Sequence, residues 1–154
     1  MLLQETYEVL DAWFYDEGIY GHKNTNWTGG LSAEVKDTYT ELTSSSSSYS
    51  RYTVGATLDL TDDFCIEFDT PIAPESNTHF MLLASSSNNI NLGNKGAIDG
   101  SHFKITIQNG QGSCVVDNGT PVSVTVPSNM TGLAFQINGT TPKIRYANFK
   151  IYPI

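Results

Sequence analysis

The sequence predicts an all-β protein in which two antiparallel sheets pack face to face. Thr, Ser, Gly and Asn make up 57 of the 154 residues. This composition disfavours helices, because Ser, Thr and Asn compete for backbone hydrogen bonds and Gly loses more conformational entropy on folding. Alternating apolar and polar residues, interrupted by turn residues, recur from about residue 38 to the end, as expected of short strands. The roughly ten to twelve strands predicted are too many for one open sheet, so we expect two.

The first elements are predicted from alternation and from the residues that break it. Apolar and polar residues alternate only loosely over residues 7–15, and residues 33–37 are compatible with a one-turn helix. Residues 39–43 form the next predicted strand. The five serines 44–48 follow it, and we expect them to form a mobile loop or a turn tip, with a short linker as the alternative. Residues 51–58 then alternate as a further strand.

Two strands and a long loop are predicted in the middle of the chain. The nearly continuous apolar segment 79–84 is typical of a strand covered on both faces. Residues 85–100 are predominantly polar and are predicted to form a loop. Residues 62–70 alternate strictly and end before Pro71. They place Phe64, Ile66 and Phe68 on one face and Cys65, Glu67 and Asp69 on the other.

The C-terminal half is predicted to be an antiparallel meander. Asn-Gly pairs at 109–110, 118–119 and 138–139 separate alternating segments. Such pairs indicate two-residue hairpins, because both central residues then need positive φ. The predicted core residues of the whole sandwich are Phe64, Ile66, Phe68, Phe80, Leu82, Phe103, Ile105, Ile107, Val122, Val124, Leu133, Phe135, Ile144, Phe149 and Ile151.

Charge and composition exclude several classes of function. The net charge is −8, and a protein that binds nucleic acid draws its affinity from Lys and Arg, so no nucleic-acid partner is expected. No apolar run of 18 residues occurs, so membrane insertion is not expected. Fifteen of the sixteen acids lie in residues 1–99. They form either a solvated acidic surface or a cation-binding one.

The cysteines and the N-terminal residues give information about the cellular compartment in which the protein is expected. Cys65 and Cys114 are expected to be buried free thiols, with one disulfide as the alternative. The first ten residues carry acids and no basic stretch, so no signal peptide is predicted. We expect either a virion component or a piece of a larger exported protein.

Four segments together resemble a known family of sandwiches. They are FYDEG near the start, GHKNTNW soon after, the strand LTDDFCIEFDT, and YANFKIYP at the end. Their order across residues 12–154 resembles concanavalin A-like lectin/glucanase (laminin G-like jelly roll) domains. The resemblance implies a jelly-roll sandwich forming one domain over residues 1–154, complete or as a module of a larger protein. It also implies that the first strand, near residues 10–16, pairs with the last.

The polar, turn-rich composition of the chain is similar to that of modules in adhesin-like surface proteins and in tailed-virus fibres from methanogenic archaea and gut bacteria. This resemblance implies an extracellular attachment module, on a virion or a cell surface, that binds cell-surface glycan without catalysis. The alternative is a structural tail, fibre or capsid subunit that self-associates into a homo-oligomer.

One branch of the resembled family is catalytic. Family 16 glycoside hydrolases carry two glutamates and an aspartate on one strand. This chain resembles that motif at Glu67 and Asp69, but Pro71 stands near the place of the last carboxylate. A retaining glycosidase needs two carboxyl groups about 5–5.5 Å apart, one with a raised pKa. We therefore expect no enzyme, with glycoside hydrolysis as the less favoured alternative.

Sugar recognition needs aromatic faces beside amide and carboxylate groups. Two long polar segments supply such residues, although Trp27 would equally serve as a core side chain and Asn is an ordinary turn residue. The candidate ligand-binding residues are Tyr20, His22, Asn24, Asn26, Trp27, Asn89 and Asn91.

The resemblance also implies a structural calcium ion near the junction of the first and last strands. Asp16 and Glu17 stand where its oxygen ligands would be, and calcium takes six to eight oxygens. Asn148 stands where related modules often carry Asp, which removes one charge. The alternative is that residues 16–18 form only a turn. No other cofactor is expected.

Overall fold

A computed structural model describes residues 15–16, 27–54, 63–84 and 88–154, with the backbone alone at 15–16, 27–29 and 54. These parts of the chain contain thirteen strands and one short 3₁₀ helix, Gly93–Lys95. The strands are β1 (Tyr15–Asp16), β2 (Trp27–Gly29), β3 (Ser32–Val35), β4 (Thr40–Thr43), β5 (Tyr49–Val54), β6 (Phe64–Thr70), β7 (Thr78–Leu83), β8 (Asn88–Asn91), β9 (Ser101–Gln108), β10 (Gln111–Val116), β11 (Val122–Val124), β12 (Gly132–Asn138) and β13 (Ile144–Pro153).

The strands form two antiparallel sheets, which confirms the predicted sandwich. The larger sheet has eight strands in the order β11-β10-β9-β6-β13-β4-β3, with β1 also paired to β13. The smaller sheet has five, in the order β2-β5-β12-β7-β8. Tyr15 lies opposite Ile151, and Asp16 opposite Lys150. The first described strand therefore pairs with the last, as expected.

The core lies between the sheets and is built around aromatic rings. The Phe68 ring stacks on Phe103 at 4.9 Å and meets the edge of Phe135 at 5.2 Å, and Phe135 stacks on Tyr146 at 4.7 Å. Offset and edge-on contacts of this kind are favourable between aromatic quadrupoles. All the predicted core residues are buried except two valines of β11.

The two exceptions are a correction to the predicted core. Val122 is 44% exposed, and Val124 is only partly buried against the core. They lie on the three-residue strand β11, and β10 is the only described strand that pairs with it. β11 stands at the end of the sheet order, where a strand has a neighbour on one side only, so alternation there does not imply burial.

The predicted C-terminal meander is correct for only three strands. β9, β10 and β11 are consecutive neighbours, and Asn109 and Gly110 both have positive φ. At the second turn the positive φ belongs to Asp117, and at the third only Gly139 has it. β12 belongs to the smaller sheet, so the chain crosses between layers after residue 138 and needs no tight two-residue hairpin.

Two further segments differ from prediction. Residues 88–91 lie within the predicted polar loop but form β8, because Ile90 and Leu92 are buried and hold this segment against β7. Of the segment 33–37 considered for a one-turn helix, residues 33–35 belong to strand β3, and residues 36–37 follow it. The serine segment links β4 to β5, and the Ser44 and Ser46 hydroxyls accept hydrogen bonds from the backbone two residues later.

The remaining expectations concern the thiols and membrane segments. Cys65 and Cys114 are buried and free, which confirms the thiol prediction. Within the described ranges, no helix has the length and apolar character needed to cross a bilayer.

Candidate functional site

Polar side chains from three adjacent strands meet on the outer face of the larger sheet. β6 lies between β9 and β13, and its core residues leave Glu67 and Asp69 pointing outwards. Asp69 lies directly opposite His102 of β9. Asn148 and Tyr152 reach the same two carboxylates from β13. We call Glu67, Asp69, His102, Asn148 and Tyr152 the carboxylate–histidine cluster.

His102 bridges the two carboxylates through both ring nitrogens. Its Nδ1 lies 2.6 Å from Oδ1 of Asp69, and its Nε2 lies 2.8 Å from Oε1 of Glu67. Both distances are those of strong, charge-assisted hydrogen bonds. The imidazole is therefore held in one orientation by two partners on the neighbouring strand.

A β-bulge in β13 brings Asn148 into the cluster. The register of β13 against β6 shifts between Ala147 and Lys150, and Asn148 has φ 53°. Asn tolerates this left-handed conformation better than most residues. Its Nδ2 donates to Oδ2 of Asp69 at 2.5 Å. The bulge thus re-aims a side chain that regular pleating would place differently.

The second oxygen of Glu67 is held from β13. The Tyr152 hydroxyl donates to Oε2 of Glu67, and the Lys150 ammonium lies 3.7 Å from the same oxygen. Each oxygen of Glu67 and Asp69 thus has at least one protein partner. Since a carboxylate has about four acceptor positions, each group still has acceptor capacity for a ligand.

The electrostatics favour the charged forms. Burial is the largest single influence on Glu67 and opposes its ionisation. The hydrogen bonds from Tyr152 and His102 and the charges of Lys150 and His102 together outweigh it and lower the pKa of Glu67. Burial likewise disfavours the imidazolium of His102, but the bonds to Asp69 and Glu67 raise its pKa above the ordinary value.

The cluster is accessible from solvent. The side chains of His102, Asp69 and Glu67 are 41%, 30% and 14% exposed. Asn148 and Tyr152 are partly buried, and Lys104, opposite Glu67 on β9, is exposed. The surface thus offers fixed acceptors, an amide, an imidazole and a phenol within one patch, a combination suited to ligands rich in hydroxyl groups.

The residues predicted from the sequence lie elsewhere or outside the described chain. Tyr20, His22, Asn24, Asn26 and Glu17 fall outside the described residues. Of Trp27 and Asp16, only the backbone is described. Asn89 and Asn91 lie on β8 of the smaller sheet, away from the carboxylate–histidine cluster.

On β8, Asn91 pairs with His79 of β7, next to a chain of polar side chains. Arg51 Nε donates to Gln136 Oε1 at 2.7 Å, and Gln136 Nε2 donates to Asn138 Oδ1 at 2.8 Å. Asn138 Nδ2 lies 3.3 Å from Nε2 of His79. Because arginine can only donate hydrogen bonds, the oxygen of the Gln136 amide must face Arg51, and the oxygen of the Asn138 amide must face Gln136. The Asn138 N–H₂ group then faces His79, so Nε2 of His79 is the acceptor.

An open cavity of about 450 Å³ lies beyond Asn138, at the end of the sandwich formed by residues 75–77 and 138–142. Asn77, Thr140 and Thr141 line it beside Glu75. The Glu75 carboxylate is engaged by Arg145 at 2.7 Å and by the backbone N–H of Lys143. This cavity is a second polar surface, separate from the carboxylate–histidine cluster.

Among the described side chains, no group of three His, Cys, Asp or Glu residues is arranged to hold a metal ion. The carboxylate–histidine cluster does bring a histidine and two carboxylates together, but both ring nitrogens of His102 are already bonded to Glu67 and Asp69. Asp16 lies opposite Lys150, and Asn148 directs its amide N–H₂ at Asp69. The calcium expectation at Asp16 and Glu17 therefore stays a prediction.

Sequence reasoning singled out Glu67 and Asp69 but missed their partners. His102 stands at a polar position of an alternating strand, and Tyr152 at a similar position of the last strand. That alternation was the available signal, and it placed these side chains on an outer face without showing which of them meet.

Comparisons with known proteins identify the fold. No protein-family model matches the sequence, and no curated protein matches it. The structure is similar to the carbohydrate recognition domain of Emp47p, with 13% identity, 92% of this chain and 95% of that chain covered, and a TM-score of 0.57. It is also similar to a protein of unknown function with a galectin-like fold from Bacillus subtilis, with 9% identity, 90% and 94% covered, and a TM-score of 0.56.

The Emp46p carbohydrate recognition domain, in its metal-free form, is a third similar structure. It shares 11% identity, with 90% of this chain and 95% of that chain covered and a TM-score of 0.55. At such low identities these similarities show the fold alone. The fold is a galectin-like, concanavalin A-like jelly-roll sandwich, and this confirms the fold class implied by the sequence resemblance.

Proposed function

We propose that this protein is a non-catalytic carbohydrate-binding module that binds glycan through the carboxylate–histidine cluster. The observation that carries the proposal is the pair of carboxylates Glu67 and Asp69, partly exposed and held in place by His102. Sugar hydroxyls are donors that need well-placed acceptors. Side chains ordered before binding lose less conformational entropy when the ligand arrives.

The neighbouring groups complement these acceptors. Asn148 has a second amide hydrogen and a carbonyl oxygen to offer a ligand, and Lys104 adds an exposed ammonium donor. Tyr152 adds a partly buried aromatic ring, with the Lys150 ammonium 5.7 Å from its centroid. The structural similarity to the carbohydrate recognition domains of Emp47p and Emp46p, over nearly the whole of each chain, supports carbohydrate binding as the kind of function.

We propose binding rather than hydrolysis because Pro71 stands near the place of the last carboxylate of the resembled glycosidase motif and because Glu67 lacks the properties of a general acid. A retaining glycosidase needs one carboxyl group whose pKa is raised, so that it carries a proton near neutral pH. The pKa of Glu67 is lowered instead, and both its oxygens accept hydrogen bonds.

The biological setting proposed is attachment to cell-surface glycan, by a single domain on a virion or cell surface. This setting rests on the sequence resemblance to adhesin-like and fibre modules. The net charge of −8 disfavours nucleic acid as a partner.

A glycan array followed by calorimetric titration tests the proposal. We expect binding to at least one oligosaccharide, and Glu67→Gln and Asp69→Asn should each weaken it by about tenfold or more, as loss of a charge-assisted hydrogen bond implies. Glu34→Gln is the matched control, because Glu34 lies on β3, is 70% exposed and pairs only with Lys36 in the described structure. Circular dichroism confirms that each variant folds.

Three outcomes would contradict the proposal. Absence of glycan binding together with a defined homo-oligomer in solution would favour the structural alternative. Binding unchanged by both variants but weakened by Thr141→Ala would move the site to the end cavity. Release of reducing sugar from a bound oligosaccharide, lost in Glu67→Gln, would make the protein a glycosidase.

A further inference from the structure

We infer that the Glu67–His102–Asp69 bridge is a proton-controlled latch that makes glycan binding at this site depend on pH. The inference rests on the proposed function, because it concerns the regulation of the same site. It is carried by geometry: one imidazole ring lies within hydrogen-bond distance of two different carboxylates, at 2.6 Å and 2.8 Å.

The protonation state follows from the donors and acceptors. Ionised carboxylates can only accept hydrogen bonds, so both ring nitrogens of His102 must donate. A neutral imidazole carries one N–H and the imidazolium carries two. With both carboxylates ionised, the bridge therefore requires the imidazolium form. When His102 loses its proton, a nitrogen lone pair faces a carboxylate oxygen, and that side of the bridge must open.

The charges that face His102 come from every neighbouring strand. Glu67 and Asp69 of β6 face its ring, and Asp117, just after β10, accepts the His102 backbone N–H at 2.9 Å. Lys104 on its own strand and Lys150 on β13 act in the opposite sense. The hydrogen bonds and charges of Asp69 and Glu67 outweigh burial and raise the pKa of His102.

When the bridge opens, the fixed side-chain geometry on which the proposed glycan site depends is lost. The protonated ring neutralises the repulsion between two neighbouring carboxylates and holds both in one geometry. Without the proton, one carboxylate loses its bond to His102 and keeps only the bond from Tyr152 or Asn148 on its other oxygen. It thereby gains rotamer freedom, which a ligand must then restrict. Affinity for a neutral glycan should therefore be highest below the His102 pKa and fall as the pH rises through it.

The latch itself is tested on the unliganded protein by an NMR titration of the histidine ring carbons. We expect the His102 midpoint to lie above that of a free histidine, near pH 6.5, and to fall in Asp69→Asn. His79 is the internal comparison, because burial shifts its pKa downwards. A His102 midpoint at or below the free value, or one unchanged in Asp69→Asn, would overturn the latch.

The second experiment measures the dissociation constant of the tightest neutral oligosaccharide from the array between pH 5 and 9. We expect affinity to fall roughly three- to tenfold across the His102 midpoint. This dependence should be absent in His102→Gln, whose amide does not titrate, and retained in Glu34→Gln. A raised midpoint with pH-independent binding would refute the regulation and leave the proposed function standing. If no glycan binds at any pH, the proposed function fails, and the NMR titration alone decides the latch.

Discussion

Gly112 of β10 lies directly opposite Val124 of β11, with no room for a side chain between them. A methyl group at position 112 would lie 2.6 Å from Cγ2 of Val124 and 2.9 Å from its carbonyl oxygen. Gly112→Ala must therefore push the two strands apart. We expect it to lower the free energy of unfolding by about 1–3 kcal/mol, measured by urea denaturation. Ser113→Ala, one residue along on the other face, is the control and should change stability little. Equal stability of the two variants would contradict the close contact.

Asn148 combines a positive φ with a hydrogen bond to Asp69, and two substitutions separate these contributions. Asn148→Gly keeps the backbone relaxed and loses the bond, so we expect a loss of about 1–2 kcal/mol in unfolding free energy. Asn148→Ala also strains the backbone and should cost about 1 kcal/mol more. Asn129 has φ 52°, and its side chain is exposed, so Asn129→Gly should cost little. If Asn148→Ala were as stable as Asn148→Gly, the bulge conformation would be refuted.

Acid should destabilise the fold through Glu41 and Glu67. Burial raises the pKa of Glu41, but the Arg145 hydrogen bond and the nearby Lys143 charge outweigh it and lower the pKa. The pKa of Glu67 is lowered as well. The unfolded chain then binds more protons than the native one in mild acid. The stability from both groups is fully present above the ordinary glutamate pKa and is lost as the pH falls through the lower folded values.

Urea unfolding from pH 7 to pH 3 measures this dependence. We expect Glu41→Gln to be less stable than the wild type at pH 7 and to lose less stability on acidification. Glu34→Gln is the control, since the Glu34 side chain is largely exposed. An unchanged pH dependence in Glu41→Gln would exclude the ion pair with Arg145 as a contributor.

His79 should remain neutral with its proton on Nδ1. Asn138 donates to Nε2, and burial lowers the pKa of His79. Nitrogen-15 NMR distinguishes the two tautomers. Asn138→Asp replaces the donor by an acceptor, so the proton should move to Nε2, whereas Asn118→Asp in the β10–β11 connection should leave it on Nδ1. An Nε2-protonated ring in the wild type would contradict the orientation of the Arg51–Gln136–Asn138 chain.

Calcium is tested by thermal unfolding. If calcium binds only the folded protein, the midpoint in millimolar calcium exceeds the midpoint in chelator, with about 2.7 kcal/mol gained at a hundredfold excess over the dissociation constant. Asp16→Ala should abolish the difference. If calcium leaves the unfolding midpoint unchanged in both the wild type and Asp16→Ala, then Asp16 and Glu17 are not calcium ligands.

Local patterns in the sequence were sufficient for the fold class and most of the core. Strict alternation in residues 62–70 placed Phe64, Ile66 and Phe68 inside and Glu67 and Asp69 outside, because successive strand residues point to opposite faces. The pattern failed at Val122, whose burial depends on what lies opposite the sheet edge. It also failed at residues 88–91, where Ile90 and the following Leu92 were the only apolar signals of a strand.

The tertiary structure alone decided which polar groups meet. His102 is 33 residues from Asp69 and 35 from Glu67, and Asn148 is 79 residues from Asp69. Alternation shows which face a side chain takes. The partner strand and its register are instead set by how distant segments pair and by the bulge in β13. The sequence by itself thus determined a two-layer sandwich with two outward carboxylates, and strand pairing across the larger sheet placed an imidazole between them.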